Sequence, residues 1–386
     1  MRNDFSKILE TIPPSGIRRF FDLVLGGKDI ISLGVGEPDF STPWAITSEA
    51  ISALEKGYTS YTSNKGMEEC REQVTEYLQR VFNCSYKPDD VVLTNGVSEG
   101  VDIVLRTLLN PGDEVLLPEP CYVCYDPLIR LAGGKVISID TSKSGFILSP
   151  EDVEKNITAK TKVLLICSPN NPTGMVIPKA NLEEIARIAE KHDLWVISDE
   201  IYAELTYDEK YTSFAVLPGM KERTILMNGF SKAFAMTGWR LGYLAGPEAV
   251  ISRALKIHQY SALCAPIMSQ FAAIEALRNS EKHIRDMRES YNIRRNFLIK
   301  KLNEIGLKTI MPQGAFYCFP YVKDWGFSSE EFAMKLVEES KVAVVPGSVF
   351  GKGGEGYVRC CYATSLDQLK EAVKRIELFL KKKGKK

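Results

Sequence analysis

The 386-residue sequence carries no excess of charge, because 49 lysines and arginines stand against 49 aspartates and glutamates. That balance argues against a polyanionic partner such as nucleic acid. Its one basic run, Lys381-Lys382-Lys383-Gly384-Lys385-Lys386, reads as a solvated, frayed terminus. No apolar run is long enough to span a membrane, and Met1-Arg2-Asn3-Asp4-Phe5 lacks the apolar core of a signal peptide. A cytoplasmic protein is the expectation. Histidine is scarce: His192, His258 and His283 lie far apart with no ligand spacing, so metal catalysis and a Ser-His hydrolase both lack support. The nine cysteines are odd in number and follow no framework, which leaves them as reduced thiols, several in the core. Cys121-Tyr-Val-Cys124 has C-x-x-C spacing but no second pair to complete a zinc site. There is no internal repeat, no low-complexity stretch, and no G-x-G-x-x-G after a strand to suggest a nicotinamide dehydrogenase.

What is present is an ordinary soluble composition, 45% hydrophobic and 25% charged, in a chain long enough for two domains. From about residue 90 to 250, short apolar runs alternate with helical patterns. Runs at 90–94, 113–117, 162–167, 193–198, 223–227 and 240–245 read as buried strands. Between them, segment 181–191 places residues 182, 185, 186 and 189 on one helical face. This alternation predicts an α/β fold with a largely parallel sheet covered on both sides. The C-terminal third changes character. Ser328 with Glu331 and Ser365 with Gln368 form capping-box patterns, and 280–300 reads as a long charged helix. Leu366, Leu369, Val373, Ile376 and Leu380 give the last helix its apolar face, and runs near 316–322, 342–346 and 357–362 supply strands for a smaller α+β domain.

In open α/β sheets, ligands bind beyond the carboxyl ends of the strands. Three consecutive apolar runs end in reactive groups: Ser168-Pro-Asn-Asn-Pro-Thr-Gly174, Asp199-Glu-Ile-Tyr202, and Asn228-Gly-Phe-Ser231-Lys232. Singly, each has a plain explanation as a turn, a helix cap or a surface pair. Together they offer an amide, a carboxylate with a phenol, and an amine at one edge of a sheet.

Ser231-Lys-Ala-Phe-Ala-Met-Thr-Gly-Trp-Arg-Leu-Gly242 resembles the lysine motif of class I/II aminotransferases, the aspartate/aromatic aminotransferase-like enzymes of pyridoxal-phosphate fold type I. The two preceding groups match that family's other signatures in order. So do Ile31-Ser-Leu-Gly-Val-Gly-Glu-Pro-Asp39 and Tyr357-Val-Arg-Cys360, so the resemblance runs over nearly the whole chain. It implies a mostly parallel seven-stranded sheet with flanking helices in a large pyridoxal-phosphate-binding domain over 45–282. Residues 1–44 and 283–386 would form an N-terminal segment and a small α+β domain.

The resemblance also implies roles. Lys232 would hold the cofactor as a Schiff base and then shuttle the substrate's Cα proton. Asp199 would keep the ring nitrogen protonated, with Tyr202 and Asn171 bonding the ring oxygen. Val97 and Ser98, in Thr94-Asn-Gly-Val-Ser-Glu-Gly100, would give the phosphate a helix N-terminus, completed by Ser231 and Arg240. Tyr122 would stack on the ring. Tyr61, in Tyr61-Thr-Ser-Asn-Lys-Gly66, would reach a neighbouring subunit's phosphate, making the enzyme a homodimer with shared sites. Arg359, with the backbone of Gly36 and beside Tyr122 and Asn171, would bind the substrate carboxylate. The implied reaction is ping-pong transfer of an amino group from an L-amino acid to a 2-oxo acid, 2-oxoglutarate being the expected acceptor. A C–S β-lyase on the same fold is the alternative. Aspartate, aromatic amino acids, alanine and methionine all fit these motifs as donors. Arg18 or Arg19 could supply a second cation, and Phe20, Tyr58 or Phe350 an aromatic pocket.

Overall fold

A computed structural model describes residues 4–14, 16–17 and 29–384 of the chain. A two-residue strand, β1 (Ile31–Ser32), comes first. It is followed by β2 (Val91–Thr94), β3 (Glu114–Glu119), β4 (Lys135–Asp140), β5 (Thr161–Cys167), β6 (Trp195–Asp199), β7 (Thr224–Gly229) and β8 (Gly242–Ala245). Strands β2 to β8 form one seven-stranded sheet in the order β2-β8-β7-β6-β5-β3-β4. The pairings among β3, β4, β5, β6 and β7 are parallel, and β8 runs antiparallel to both its neighbours. The ends of β2, β5, β6 and β7 and the start of β8 therefore share one edge of the sheet.

Alternation along β5 shows why the runs are continuously apolar. Val163, Leu165 and Cys167 pack with Val101, Val104 and Leu105 of the helix Val97–Leu108 on one face. Leu164 and Ile166 pack with Leu182, Ile185 and Ala189 of the helix Lys179–Lys191 on the other. A strand buried on both faces has no polar side to show. The edge strand β4 is different: only Ile139 is buried, so no apolar run marks it in the sequence. The predicted strand at 240–245 begins two residues late, because Arg240 sits in a turn with a left-handed φ of 52°.

A second set of strands comprises β9 (Tyr317–Cys318), β10 (Val342–Ala343), β11 (Val345–Pro346) and β12 (Val358–Cys361). β11, β12 and β9 form an antiparallel sheet, while β10 pairs in parallel with β1, Ile31 opposite Val342. Leu33 continues this stitching: its N–H donates to Ala343 at 2.8 Å and its carbonyl accepts from the Cys361 N–H at 2.7 Å. The 24-residue helix Glu281–Glu304 runs between the two regions, as its charged pattern predicts. Ser328 and Glu331 cap Ser329–Ser340 reciprocally, and Ser365 accepts from the Gln368 N–H at the start of Leu366–Lys383. The basic tail differs from expectation: helix continues to Lys383, with Lys381 paired to Glu377 and Lys383 to Glu339, both at 2.6 Å. One i,i+4 pair and one pair to the neighbouring helix Ser329–Ser340 outweigh fraying there.

Candidate active site

The shared sheet edge opens on a cavity of about 560 Å³. Each wall comes from a strand end. β5 leads to Asn171, β6 ends in Asp199 with Tyr202 beyond it, and β7 leads to Ser231 and Lys232. β2 leads through Gly96 to Val97 and Ser98, the first residues of their helix, and Arg240 precedes β8. Tyr122 follows β3, Arg359 comes from β12, and Gly36 from the segment after β1. Eleven residues expected at the site thus meet at one cavity, drawn from both strand systems.

Asp199 is buried and doubly held: Tyr125 Oη donates to Oδ2 at 2.7 Å and the Ile201 N–H to Oδ1 at 3.1 Å. Burial pushes its carboxyl up to about 6, opposed by those two bonds and by the charge of Lys232. Such a group ionises fully once a cation faces it. Lys232 is half-buried and donates from Nζ to the Gly36 carbonyl at 2.7 Å. Burial lowers its amine to about 8, with Glu37 resisting and Arg359 and Arg240 assisting. A neutral, nucleophilic amine is therefore accessible near neutral pH. Tyr202 and Tyr317 share a hydrogen bond of 2.9 Å between hydroxyls, and burial raises both phenols, so both stay protonated.

Arg359 is 2% exposed. Nη1 donates to Asn171 Oδ1 at 2.8 Å and Nη2 to the Gly34 carbonyl at 2.7 Å, and the guanidinium lies over the Tyr317 and Phe350 rings. Its Nε is buried without a hydrogen-bond partner. Because Arg359 bonds the oxygen of the Asn171 amide, the NH₂ of that amide is left as a donor. A cation with an orphaned buried N–H beside an open cavity calls for an anion. Arg240 closes on a second part of the lining: Gly96 takes a φ of 82°, and a Cβ there would sit 2.8 Å from Arg240 Nη2. Gly229 and Gly242 let the strands and this turn close up, since a Cβ on Gly242 would meet the Val97 nitrogen at 2.8 Å. Free helix N–H groups and a guanidinium thus converge without side chains between them. Among the described residues no group of His, Cys, Asp or Glu could hold a metal ion.

The family profile "Aminotransferase class I and II" matches residues 28–376. The chain belongs to the class I and II aminotransferases. It is 48% identical over 380 residues to "Aromatic-amino-acid aminotransferase 2" of Thermococcus litoralis, covering 97% of this chain and 98% of that protein. It is equally 48% identical over 380 residues, with the same coverage, to "Aspartate aminotransferase" of Pyrococcus abyssi. Among solved structures, aspartate aminotransferase from Thermus thermophilus with maleate superposes with a TM-score of 0.94 at 37% identity, covering 98% of this chain and 100% of that one. Aminotransferases of this class use pyridoxal phosphate, and these likenesses support transamination rather than C–S lysis.

The aminotransferase's cavity suits that cofactor: it offers an amine to bind an aldehyde, a buried carboxylate to face a cationic ring, and an anion cradle at one end. Two neighbours of these groups were not anticipated. Tyr125 bonds Asp199 across 74 residues of sequence, and no local pattern marks it. Tyr317 bonds Tyr202 from a strand whose apolar neighbours disguise it. One expected residue stands apart, because Tyr61 is 82% exposed and does not line the cavity. Tyr58 stacks on Phe271 and Phe350 lies beneath Arg359, neither lining the cavity. Arg18, Arg19 and Phe20 lie outside the described residues.

Proposed function

We propose that this aminotransferase takes amino groups from an aspartate- or aromatic-type L-amino acid and passes them to 2-oxoglutarate, with Lys232 and Arg359 as the two ends of the substrate site. The observation that carries this reading is a short piece of backbone. Arg359 donates to the Gly34 carbonyl and Lys232 to the Gly36 carbonyl, each at 2.7 Å. The guanidinium and the amine are thereby held in register, as a substrate with a carboxylate and an amine on one carbon requires.

Pyridoxal phosphate, when bound, supplies the electron sink for the bond broken at the substrate's Cα. Lys232 Nζ would anchor the cofactor and, once its amine is free, would accept the substrate's Cα proton. Asp199 holds negative charge at the cavity floor, kept in place by Tyr125 and the Ile201 N–H. Tyr202 and the Asn171 amide would donate to the ring oxygen, and Tyr122 would pack against the ring. Val97 and Ser98 N–H groups, Ser231 and Arg240 would hold the phosphate. Arg359 holds the α-carboxylate in a two-pronged grip that Asn171 orients, with the Gly36 backbone beside it.

The proposed assembly is a cytoplasmic homodimer in which Tyr61 serves the neighbouring subunit's phosphate. The exposure of Tyr61 together with Trp44, Ile51, Leu54 and Tyr58 supports a covered apolar face there. The proposed division is 45–282 for cofactor binding and 1–44 with 283–386 for the smaller domain. A core joining Ile31 and Leu33 to Tyr291, Phe316, Phe332 and Phe379 supports it, with Ile201, Tyr202 and Leu205 entering it from the larger domain.

A half-reaction screen tests the reading: common amino acids are mixed with the holoenzyme, and the cofactor's absorbance and the product are followed. One equivalent of 2-oxo acid per site, from aspartate or an aromatic amino acid, is the expected result. Pyruvate, ammonia and a thiol from cystathionine would overturn it in favour of a lyase.

A further inference from the structure

The helix Glu248–Ser261 buries one face, Val250, Ile251, Ala254 and His258, toward β2 and the helix Val97–Leu108. The first three are apolar and the fourth is not. His258 is fully buried, and its Nδ1 lies 2.9 Å from Glu99 Oε1. Among the described residues its Nε2 has no partner, so Glu99 is the ring's one polar contact there. Glu99 stands in the first turn of its helix, yet Oε2 turns back to accept from the Asn95 backbone N–H and, at 3.0 Å, from the Asn95 side-chain amide. Asn95 and Gly96 form the turn that approaches Arg240, whose Nη2 donates weakly to the Asn95 carbonyl at 3.5 Å.

A carboxylate in the first turn of an anion-binding helix is a hazard. It competes for the free N–H groups and repels the incoming anion. Here both of its oxygens are occupied, and Glu99 does not line the cavity that Gly96, Val97 and Ser98 line. Burial raises the Glu99 carboxyl, but the bonds from His258 and Asn95 outweigh it and hold the group below the usual carboxylate range. The carboxylate is therefore charged and needs to be kept turned away.

We propose that His258 and Glu99 are positioning residues for the phosphate-binding turn. His258 holds the Glu99 carboxylate against Asn95 and away from the anion, leaving the Val97 and Ser98 N–H groups and Arg240 directed at the cavity. The inference rests on the reading of that turn as the phosphate cradle.

The test separates the phosphate from the rest of the cofactor. Apoenzyme carrying His258→Leu, His258→Asn or Arg240→Gln is titrated by absorbance with pyridoxal 5′-phosphate and with pyridoxal, and inorganic phosphate is measured as a competitor. His258→Leu keeps volume and loses the bond, so it should weaken pyridoxal phosphate and inorganic phosphate about tenfold while leaving pyridoxal within about twofold. His258→Asn, which retains a donor near the Nδ1 position, should recover most of the loss. Equal weakening of pyridoxal and its phosphate, or no weakening of either, overturns the proposal. If His258→Leu does not fold, His258→Met, which also lacks the donor to Glu99, must show the same phosphate-selective loss, and its absence is equally decisive. Arg240→Gln tells the two failures apart. Selective loss in that variant alone sinks only the role of His258 and Glu99, whereas no selectivity in either sinks the cradle reading with it.

Discussion

Replacing Arg359 by lysine keeps the positive charge and removes the fork. Two of the five guanidinium N–H groups are committed to Asn171 and Gly34, at 2.8 and 2.7 Å, which leaves the others for a substrate carboxylate. A lysine ammonium at the end of a flexible stem cannot satisfy Asn171, Gly34 and a carboxylate in one plane. The substrate loses roughly one charged hydrogen bond, worth about 1.5–3 kcal/mol, so kcat/KM for amino acids should fall about 10–100-fold. The assay pairs each amino acid with the amine of the same side chain, for example phenylalanine with phenethylamine, in single-turnover half-reactions. Only the compounds bearing a carboxylate should suffer. The buried Asn171 and Gly34 oxygens also lose partners, at about 1–3 kcal/mol each, so the denaturation midpoint should fall as well. Equal losses for amines and amino acids would refute the assignment of Arg359 to the carboxylate.

Other expectations concern the cofactor side and the assembly. Lys232→Ala should abolish the absorbance of the lysine-linked cofactor and essentially all turnover, and measurable steady-state activity in that variant would count against Lys232. The lowered pKa of Lys232 gives the pH dependence a sign. The neutral amine is the nucleophile, so capture of pyridoxal phosphate by apoenzyme should accelerate as pH rises and level off above about 8, rather than near the ordinary 10.5. The charged form is the disfavoured one in the fold, so this group's contribution to stability should grow between those values, visible in denaturant midpoints. Asp199→Asn keeps the shape that Tyr125 and Ile201 contact but removes the charge, and the half-reaction should slow by at least about 100-fold. A near-normal rate would mean that the ring needs no counter-charge. Mixing Tyr61→Phe subunits with Lys232→Ala subunits should create hybrid sites with both residues intact, so activity above the summed parents is expected. Strictly additive activity would place Tyr61 outside the neighbouring subunit's site.

How much could be read in the sequence followed burial. β5, β6 and β7 are covered on both faces, so each appears as an apolar run that stops where the chemistry starts, and Asn171, Asp199 and Lys232 fall just beyond. β4 lies at the sheet edge with Lys135, Ser138 and Asp140 exposed, and no run announces it. Strand direction leaves no mark on composition either, which is why the antiparallel setting of β8 emerges only from its pairing. Contacts between distant residues were illegible for a related reason. Tyr125 and Asp199 are 74 residues apart, and Tyr202 and Tyr317 are 115 apart, so no local spacing joins them. His258 shows the same limit. As one of three scattered histidines it matches no ligand pattern, and its meaning depends on Glu99, brought close by helix packing alone.

The pairing of β1 with β10 orders events during synthesis. Ile31 leaves the ribosome early but meets Val342 only when nearly the whole chain has been made. Closing so long a loop is slow and is rewarded only by contacts that form last. The sheet that ends in Asp199 and leads on to Lys232 needs no residue beyond Ala245 for its seven strands, so a nascent chain can assemble that edge first. The proposed carboxylate clamp cannot form then, because Arg359 and its Gly34 contact wait on the closing strand. The strand ends around the cofactor site would thus be laid down first, and the groups proposed to choose amino acids would arrive with the C-terminal third.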